Sequence, residues 1–224
     1  MPECKTITIF TPDELERFKK EAFRVYSTER RKHKQAATFI FMLNTGLSIR
    51  EVLGLLNKDI SLEKRTLKIR DGVKRIKKRD GCKAKKCVTT KVGKPKTGPS
   101  KRTVPLNNTA IKMIKQLREE CCFGENYPLV CDDQGGNTKP SNMQGRYNTI
   151  LHTAGIEQKG THSFRHTFAT NLINGIRQPD GTIVCLTPKQ VADILGHSTS
   201  GITERYYVKK DTARLAGITD AFEM

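Results

Sequence analysis

Apolar residues recur at helical spacing through most of the chain, and they thin out in one stretch where lysine and arginine take over. The segment TPDE, residues 11–14, reads as a helix start. Thr11 can cap, Pro12 suits the first helical position and Glu14 can close a capping box. The pattern predicts helix from there to about His33. A second helix, QAATFIFMLNTG, is apolar on most faces and belongs in the core, with Gly46 ending it. A short helix, IREVLGLL, follows. SLEKRTLKIRDGV then reads as two short β segments with a turn at Glu63-Lys64. The β-prone patches KCVTTKV and KRTVPL extend this into a small sheet with long hairpins. From NNTAIKMIKQL onward the periodicity is helical again, interrupted by a predicted strand at YPLVCD. RYNTILHTAG and SFRHTFATNLING predict one helix each. TPKQVADILGH predicts another, with a Thr cap and Pro at the first position as in the first helix and Gln at the third. ITERYYVKK and DTARLAGITDAFEM predict two short closing helices. The fold class is α+β: mainly α-helical, with a small antiparallel sheet and a hairpin insertion.

Charge changes this picture most. The 224 residues carry 41 Lys or Arg against 23 Asp or Glu, a formal net charge of +18. Residues 64–102 hold 17 of the basic residues and only two acids, Asp71 and Asp80. So dense a block of like charge repels itself. Phosphates of a nucleic acid would neutralise it with release of counterions. Composition alone leaves ribosomal-type binding open. The longest apolar run, AATFIFML, is too short to span a bilayer, and MPECKTITIF lacks the form of a signal peptide. The expected location is therefore the cytoplasm, where the 7 cysteines would be reduced thiols. Cys82 and Cys87 share the lysine-rich stretch, Cys121 and Cys122 are adjacent, and no second paired spacing completes a zinc framework.

The last third of the chain concentrates a different chemistry. In THSFRHTF, His162 and Arg165 stand three apart and share a helix face, as do His162 and His166. After LGH, His197 falls on a loop, with Gly196 as the helix C-cap, and Tyr206 follows nine residues later. Arginine binds phosphate by paired hydrogen bonds. Histidine moves protons near neutral pH, and tyrosine forms covalent intermediates. Together these are the parts for phosphoryl transfer onto a tyrosine.

With THSFRHTFATNL and VADILGHSTSGITERYY in view, the chain resembles the tyrosine recombinase (phage integrase) family over nearly its whole length. KPKTGPSKRTVPL looks most like integrases of conjugative transposons. The resemblance implies that residues 1–224 are a catalytic domain. Its basic hairpin region would run over about 64–105 and its C-terminal tail over about 211–224. The core-binding and arm-binding domains of longer members would be absent. It implies that Tyr206 attacks the scissile phosphate to give a 3′-phosphotyrosyl link and a free 5′-hydroxyl. Arg165 would brace the non-bridging oxygens, and His162 and His197 would hydrogen-bond the same phosphate. The family's hairpin lysine, which protonates the leaving oxygen, corresponds to Lys96, with Lys94 and Lys101 as competitors. Lys74, Arg75, Lys77, Lys78, Lys94, Lys101 and Arg102 are the candidate DNA-backbone contacts. The partners implied are double-stranded DNA and further copies of the chain, joined through the tail. No metal or other cofactor is implied, because arginines and a lysine supply the positive charge.

One position departs from the family. The first catalytic arginine usually follows TGx directly, but this chain reads TGLSIRE, with Ser48 at that place and Arg50 two residues later. Either Arg50 reaches the phosphate or the arginine has been replaced. Glu51 is expected to support the site rather than react. Tyr206 and Tyr207 point about 100° apart on a helix, and the spacing from His197 selects Tyr206. Two other functions share these features. A type IB topoisomerase would relax DNA with a similar residue set, although the LGH motif and small size favour a recombinase. A DNA- or RNA-binding module would use the basic segment alone.

Overall fold

The computed structural model describes residues 8–70, 72–77, 88–93, 101–177 and 182–196. Helix α1 (Pro12–Ala22) begins as its cap dictates. The Glu14 amide donates to Thr11 Oγ1 at 3.2 Å, and the Thr11 amide donates to Glu14 Oε2 at 2.8 Å. The helix ends at Ala22 rather than near His33. Beyond Phe23 the chain folds back on itself, pairing Val25 with Arg31, and Glu29 closes the turn at φ 60°. The physical reason is Glu21. The returning strand brings Lys32 to 2.7 Å and His33 Nε2 to 2.8 Å from its Oε1. A continuous helix would carry those partners more than 15 Å away, at about 1.5 Å per residue. Burial resists ionisation of Glu21, but Lys32, His33 and Arg24 overcome it and hold the carboxyl down to about 2.

Helix α2 (Ala37–Thr45) is buried on nearly all sides, as its unbroken apolar sequence requires. It stops at Gly46, whose φ of 66° is left-handed. A Cβ at Gly46 would stand 2.5 Å from Phe168 Cδ1, so glycine serves both the turn and the close packing. Around α2 lie α4 (Asn108–Glu120), α5 (Pro140–Thr153) and α6 (His162–Asn174). Five aromatic rings fill the space between them. Phe164 of α6 stacks on Phe10 with centroids 4.9 Å apart and meets Phe18 edge-on at 5.3 Å, with Phe39 and Tyr147 closing the cluster.

Helix α3 (Ile49–Leu53) and a 3₁₀ turn (Asn57–Asp59) lead into a three-stranded antiparallel sheet of β1 (Ile60–Ser61), β2 (Thr66–Ile69) and a later strand, β5 (Arg102–Pro105). Its register sets Thr66 opposite Pro105 and Ile69 opposite Arg102. Between β2 and β5 the chain makes a separate hairpin, β3 (Gly72–Lys77) with β4 (Val88–Gly93). This is the hairpin insertion that the glycine-punctuated basic segment predicts. The expected strand at YPLVCD reduces to single bridges, Leu56–Pro128 and Cys131–Asn137. Leu129, Val130 and Cys131 are buried, which accounts for the apolar signal. Their neighbour leaves the ladder at once, because Asn57 starts the 3₁₀ turn. A short pairing of β6 (Ile176–Arg177) with β7 (Ile183–Val184) is not foreseen by the sequence reading, although Pro-Asp-Gly between them is a turn signal. Helix α7 (Pro188–Leu195) follows, with the Thr187–Gln190 capping box in place. Its Val191 and Leu195 pack with Ala169 in a second, smaller core. The two predicted closing helices lie outside the described residues.

The aromatic cluster gives a direct test of what holds α6. Phe164 is fully buried, and truncation removes ring contacts with four neighbours. Phe164→Ala should cost about 3–5 kcal/mol of unfolding free energy in urea titration.

Candidate active site

The first turn of α6 and the carboxyl ends of α2 and α7 meet at one guanidinium. Arg165 donates from Nη1 to the carbonyl of Gly46 at 3.2 Å and from Nη2 to the carbonyl of Leu195 at 2.6 Å. Both carbonyls lie at helix carboxyl ends, where the backbone dipoles leave partial negative charge, so a cation is stabilised there. Its Nη1 also stands 3.5 Å from Glu51 Oε2. The side chain keeps only 12% of its exposure. The same carboxylate holds a second arginine. Arg102 Nη1 lies 2.6 Å from Glu51 Oε1, and Arg102 Nε donates to the carbonyl of Ile194 at 2.6 Å. Three largely buried charges therefore join α3, α6, β5 and the end of α7. Burial works against the charge on Glu51. Arg102 first, then Arg165 and the Ser48 amide, overcome that and hold its pKa below the ordinary carboxylate range. Glu51 is thus ionised wherever the protein is folded at neutral pH.

Ser48, the position that departs from TGLRxxE, caps α3. Its hydroxyl donates to Glu51 Oε2 at 2.7 Å, its amide donates to the same oxygen at 2.8 Å, and its Oγ receives the Glu51 amide at 3.4 Å. This is a complete capping box. The signal was present in the sequence as S-x-x-E, the same pattern that marks the starts of α1 and α7. Arg50, on the first turn of α3, is exposed. The pKa of His162, the first residue of α6, is lowered by burial, then by Arg165, with Glu51 opposing and Arg50 adding to the effect. Arg50, His162 and Arg165 therefore share one electrostatic environment. The structure brings His162 and Arg165 together on the first turn of α6, and the charge of Arg50 acts on His162 more weakly. His166 lies one turn beyond His162, with ring centroids 6.0 Å apart. Burial first, then His162 and Arg165, push its pKa down to about 4.

Lys96, His197 and Tyr206 lie outside the described residues, as do Lys78 and Lys94. His197 directly follows Gly196, which ends α7 in the left-handed region at φ 70°. A Cβ there would come within 2.9 Å of Arg102 Nη1. Lys74, Arg75 and Lys77 lie on β3, and the register sets Lys74 opposite Lys91 of β4. Lys101 is exposed just before β5. Arg102, expected among the DNA contacts, turns inward instead, with its side chain 7% exposed. The reason is Glu51, a buried carboxylate that requires a cation. Sequence reading missed this pairing because 51 residues separate the partners.

Residues 9–214 match the Phage integrase family, and the chain belongs to it. It is 31% identical over 226 residues to a XerC-like tyrosine recombinase of Caldanaerobacter subterraneus subsp. tengcongensis, covering 93% of this chain and 55% of that protein. It is 27% identical over 188 residues to the transposase of transposon Tn916 from Enterococcus faecalis, covering 75% and 40%. The chain thus spans about half the length of the curated relatives it matches, or less. In fold it resembles the Tn1549 transposon integrase solved with circular intermediate DNA, with a TM-score of 0.71, 20% identity and coverage of 97% and 68%. It also resembles the catalytic domain of bacteriophage HP1 integrase, with a TM-score of 0.53, 17% identity and 94% of each chain covered.

The buried charge cluster and the depressed histidine each predict an outcome. Glu51→Gln leaves Arg102 and Arg165 without their common counter-charge, and should lower the unfolding free energy by about 3 kcal/mol or more in denaturant titration. His166 is held below its ordinary pKa of 6.5, so the folded state favours the neutral ring. That contribution is complete above about pH 6.5 and is lost as the pH falls towards 4. Stability measured across this window should fall less steeply for His166→Gln than for the parent chain.

Proposed function

We propose that residues 1–224 form the catalytic domain of a site-specific DNA recombinase that integrates and excises a mobile element. The observation that carries this reading is the locked guanidinium of Arg165, set beside His162 and Arg50 in a chain of the phage integrase family. An arginine fixed in advance stabilises charge that develops on a phosphate without reorganising at the moment of reaction. In this mechanism the Tyr206 oxygen attacks the scissile phosphorus. The bond to the 5′-oxygen breaks, and that oxygen leaves with a proton from Lys96. One phosphodiester has been exchanged for a 3′-phosphotyrosyl ester, so a 5′-hydroxyl of the same or another duplex can reverse the step without an external energy source. Arg50 and Arg165 carry the non-bridging oxygens, and His162 and His197 donate hydrogen bonds to them. The depressed pKa of His162 favours the neutral ring near pH 7, which suits it to receive the tyrosine proton.

Duplex DNA is the proposed substrate. Support comes from the DNA-bound neighbours, the Tn1549 integrase with circular intermediate DNA and the XerH recombinase bound to difH substrate. It comes also from the charge of residues 64–102. The β3–β4 register pairs Lys74 with Lys91, both within that segment. Assembly of several copies on DNA through the tail at 211–224, and action in the cytoplasm, complete the proposal. No helix among the described residues is long and apolar enough to cross a membrane.

A nicked duplex carrying the element's end is the substrate of choice, because strand loss after cleavage traps the covalent product. The parent chain should give a protein–DNA adduct on a denaturing gel, and Tyr206→Phe should give none. Arg165→Lys should reduce the rate of adduct formation about 100-fold or more. An adduct from the parent chain assigns the first-arginine role to Arg50. An adduct seen only with Ser48→Arg means that Arg50 does not fill it. Absence of adduct in both, with salt-sensitive DNA binding intact, would sink the recombinase reading in favour of a binding module.

A further inference from the structure

Far from the candidate active site, the last turn of α4 meets the loop after Tyr127 through two sulfurs. Cys121 follows the helix in extended backbone at φ −166°, and Cys131 is buried in the bridge with Asn137. Their Sγ atoms are 2.8 Å apart, well inside the separation that two non-bonded sulfurs keep. A disulfide has a bond of about 2.05 Å, so closure asks each sulfur to move a few tenths of an ångström. The two backbones are already held in register from a third side. Gln35 donates its side-chain amide to the carbonyl of Cys131 at 2.5 Å, and its own amide donates to Glu120 Oε2 at 2.7 Å, next to Cys121. Arg31 reaches the other oxygen of Glu120 at 3.1 Å. Among the described residues no third metal-ligating side chain joins the pair, so the geometry is that of a dithiol.

We propose that Cys121 and Cys131 are an oxidative modification site, a dithiol that peroxides convert to an intramolecular disulfide. Cys121, half-buried, is the sulfur that peroxide can reach. Its thiolate attacks one peroxide oxygen and the O–O bond breaks. Cys121 becomes a sulfenic acid, and the other oxygen leaves as water. The Cys131 sulfur then displaces the sulfenic oxygen. The S–S bond forms, the S–O bond breaks, and a second water carries away the Cys131 proton. Two thiols have lost two electrons and two protons, and one peroxide has been reduced to two waters. A small thiol reverses the change by exchange. The order of the sulfurs follows from their surroundings, since burial and the neighbouring Cys121 push the Cys131 thiol up to about 12 and keep it protonated. Oxidation would pin the carboxyl end of α4 to the loop and clamp Gln35, in left-handed backbone at φ 59° just before α2.

The test uses the full chain treated with hydrogen peroxide, alkylated, denatured and digested with trypsin. Peptide 119–146 carries Cys121, Cys122 and Cys131 together. Its oxidised form should be two hydrogens lighter, with a single alkylated cysteine, and dithiothreitol should restore all three. The untrypsinised, oxidised chain should melt about 5 °C higher than the reduced one. Cys122→Ser, exposed and outside the pair, should leave the product intact, whereas Cys121→Ser and Cys131→Ser should each abolish it. Full alkylation of all three cysteines after peroxide would overturn the proposal. So would a disulfide that survives in Cys121→Ser, since Cys122 would then be the true partner.

Discussion

A single buried carboxylate organises this molecule. Glu51 binds two arginines that arrive from β5 and α6, and those arginines in turn take the last carbonyls of α7 and the carbonyl of Gly46. Removing a carboxylate from water is expensive, and the cost is met only because every oxygen of Glu51 has a cation or a donor. Such a cluster contributes less to net stability than to register. With Glu51 fixed by the cap of α3, the arginines have one place to go, and the helix ends they hold are fixed as well. Arg165 is then presented beside His162 in one orientation, which is what a preorganised phosphate site demands.

Ser48 takes on a different meaning in that setting. At this place the family usually carries an arginine, which can bind phosphate but cannot cap a helix through a short hydroxyl. Serine does cap, and its hydroxyl adds a third donor to Glu51. The cap supports Glu51 and through it Arg165, and Arg50, two residues on, is exposed.

The remaining architecture serves to deliver these groups. The aromatic cluster of Phe10, Phe18, Phe39, Tyr147 and Phe164 fixes α6 against α1, α2 and α5. Glycine at 46 and at 196 lets two helices stop abruptly where Phe168 and Arg102 press against them. Glu21, with Lys32 and His33, repeats at the other end of α2 the logic seen at Glu51: a buried acid draws in distant bases and so determines where the chain turns.

Local features were legible in the sequence because their causes are local. The capping boxes at Thr11 and Thr187, the stop at Gly46, the buried α2 and the basic hairpin insertion all follow from residues within a few positions of one another. The HSFR turn and the LGH-to-tyrosine spacing were enough to indicate the family. Other features were not legible because each depends on a partner further along the chain, and two of them are buried charges. α1 stops early because Glu21 needs Lys32 and His33. The 128–131 segment is buried without becoming a strand because Asn57 leaves the ladder. Arg102, one lysine-rich residue among many by sequence, turns inward because Glu51 lies buried beside it. Sequence pattern determines which helices and strands can form and which chemistry the chain carries. Which arginine faces phosphate and which neutralises a buried acid is decided only when the fold brings the acid within reach, since the cost of burying a charge depends on its neighbours in space.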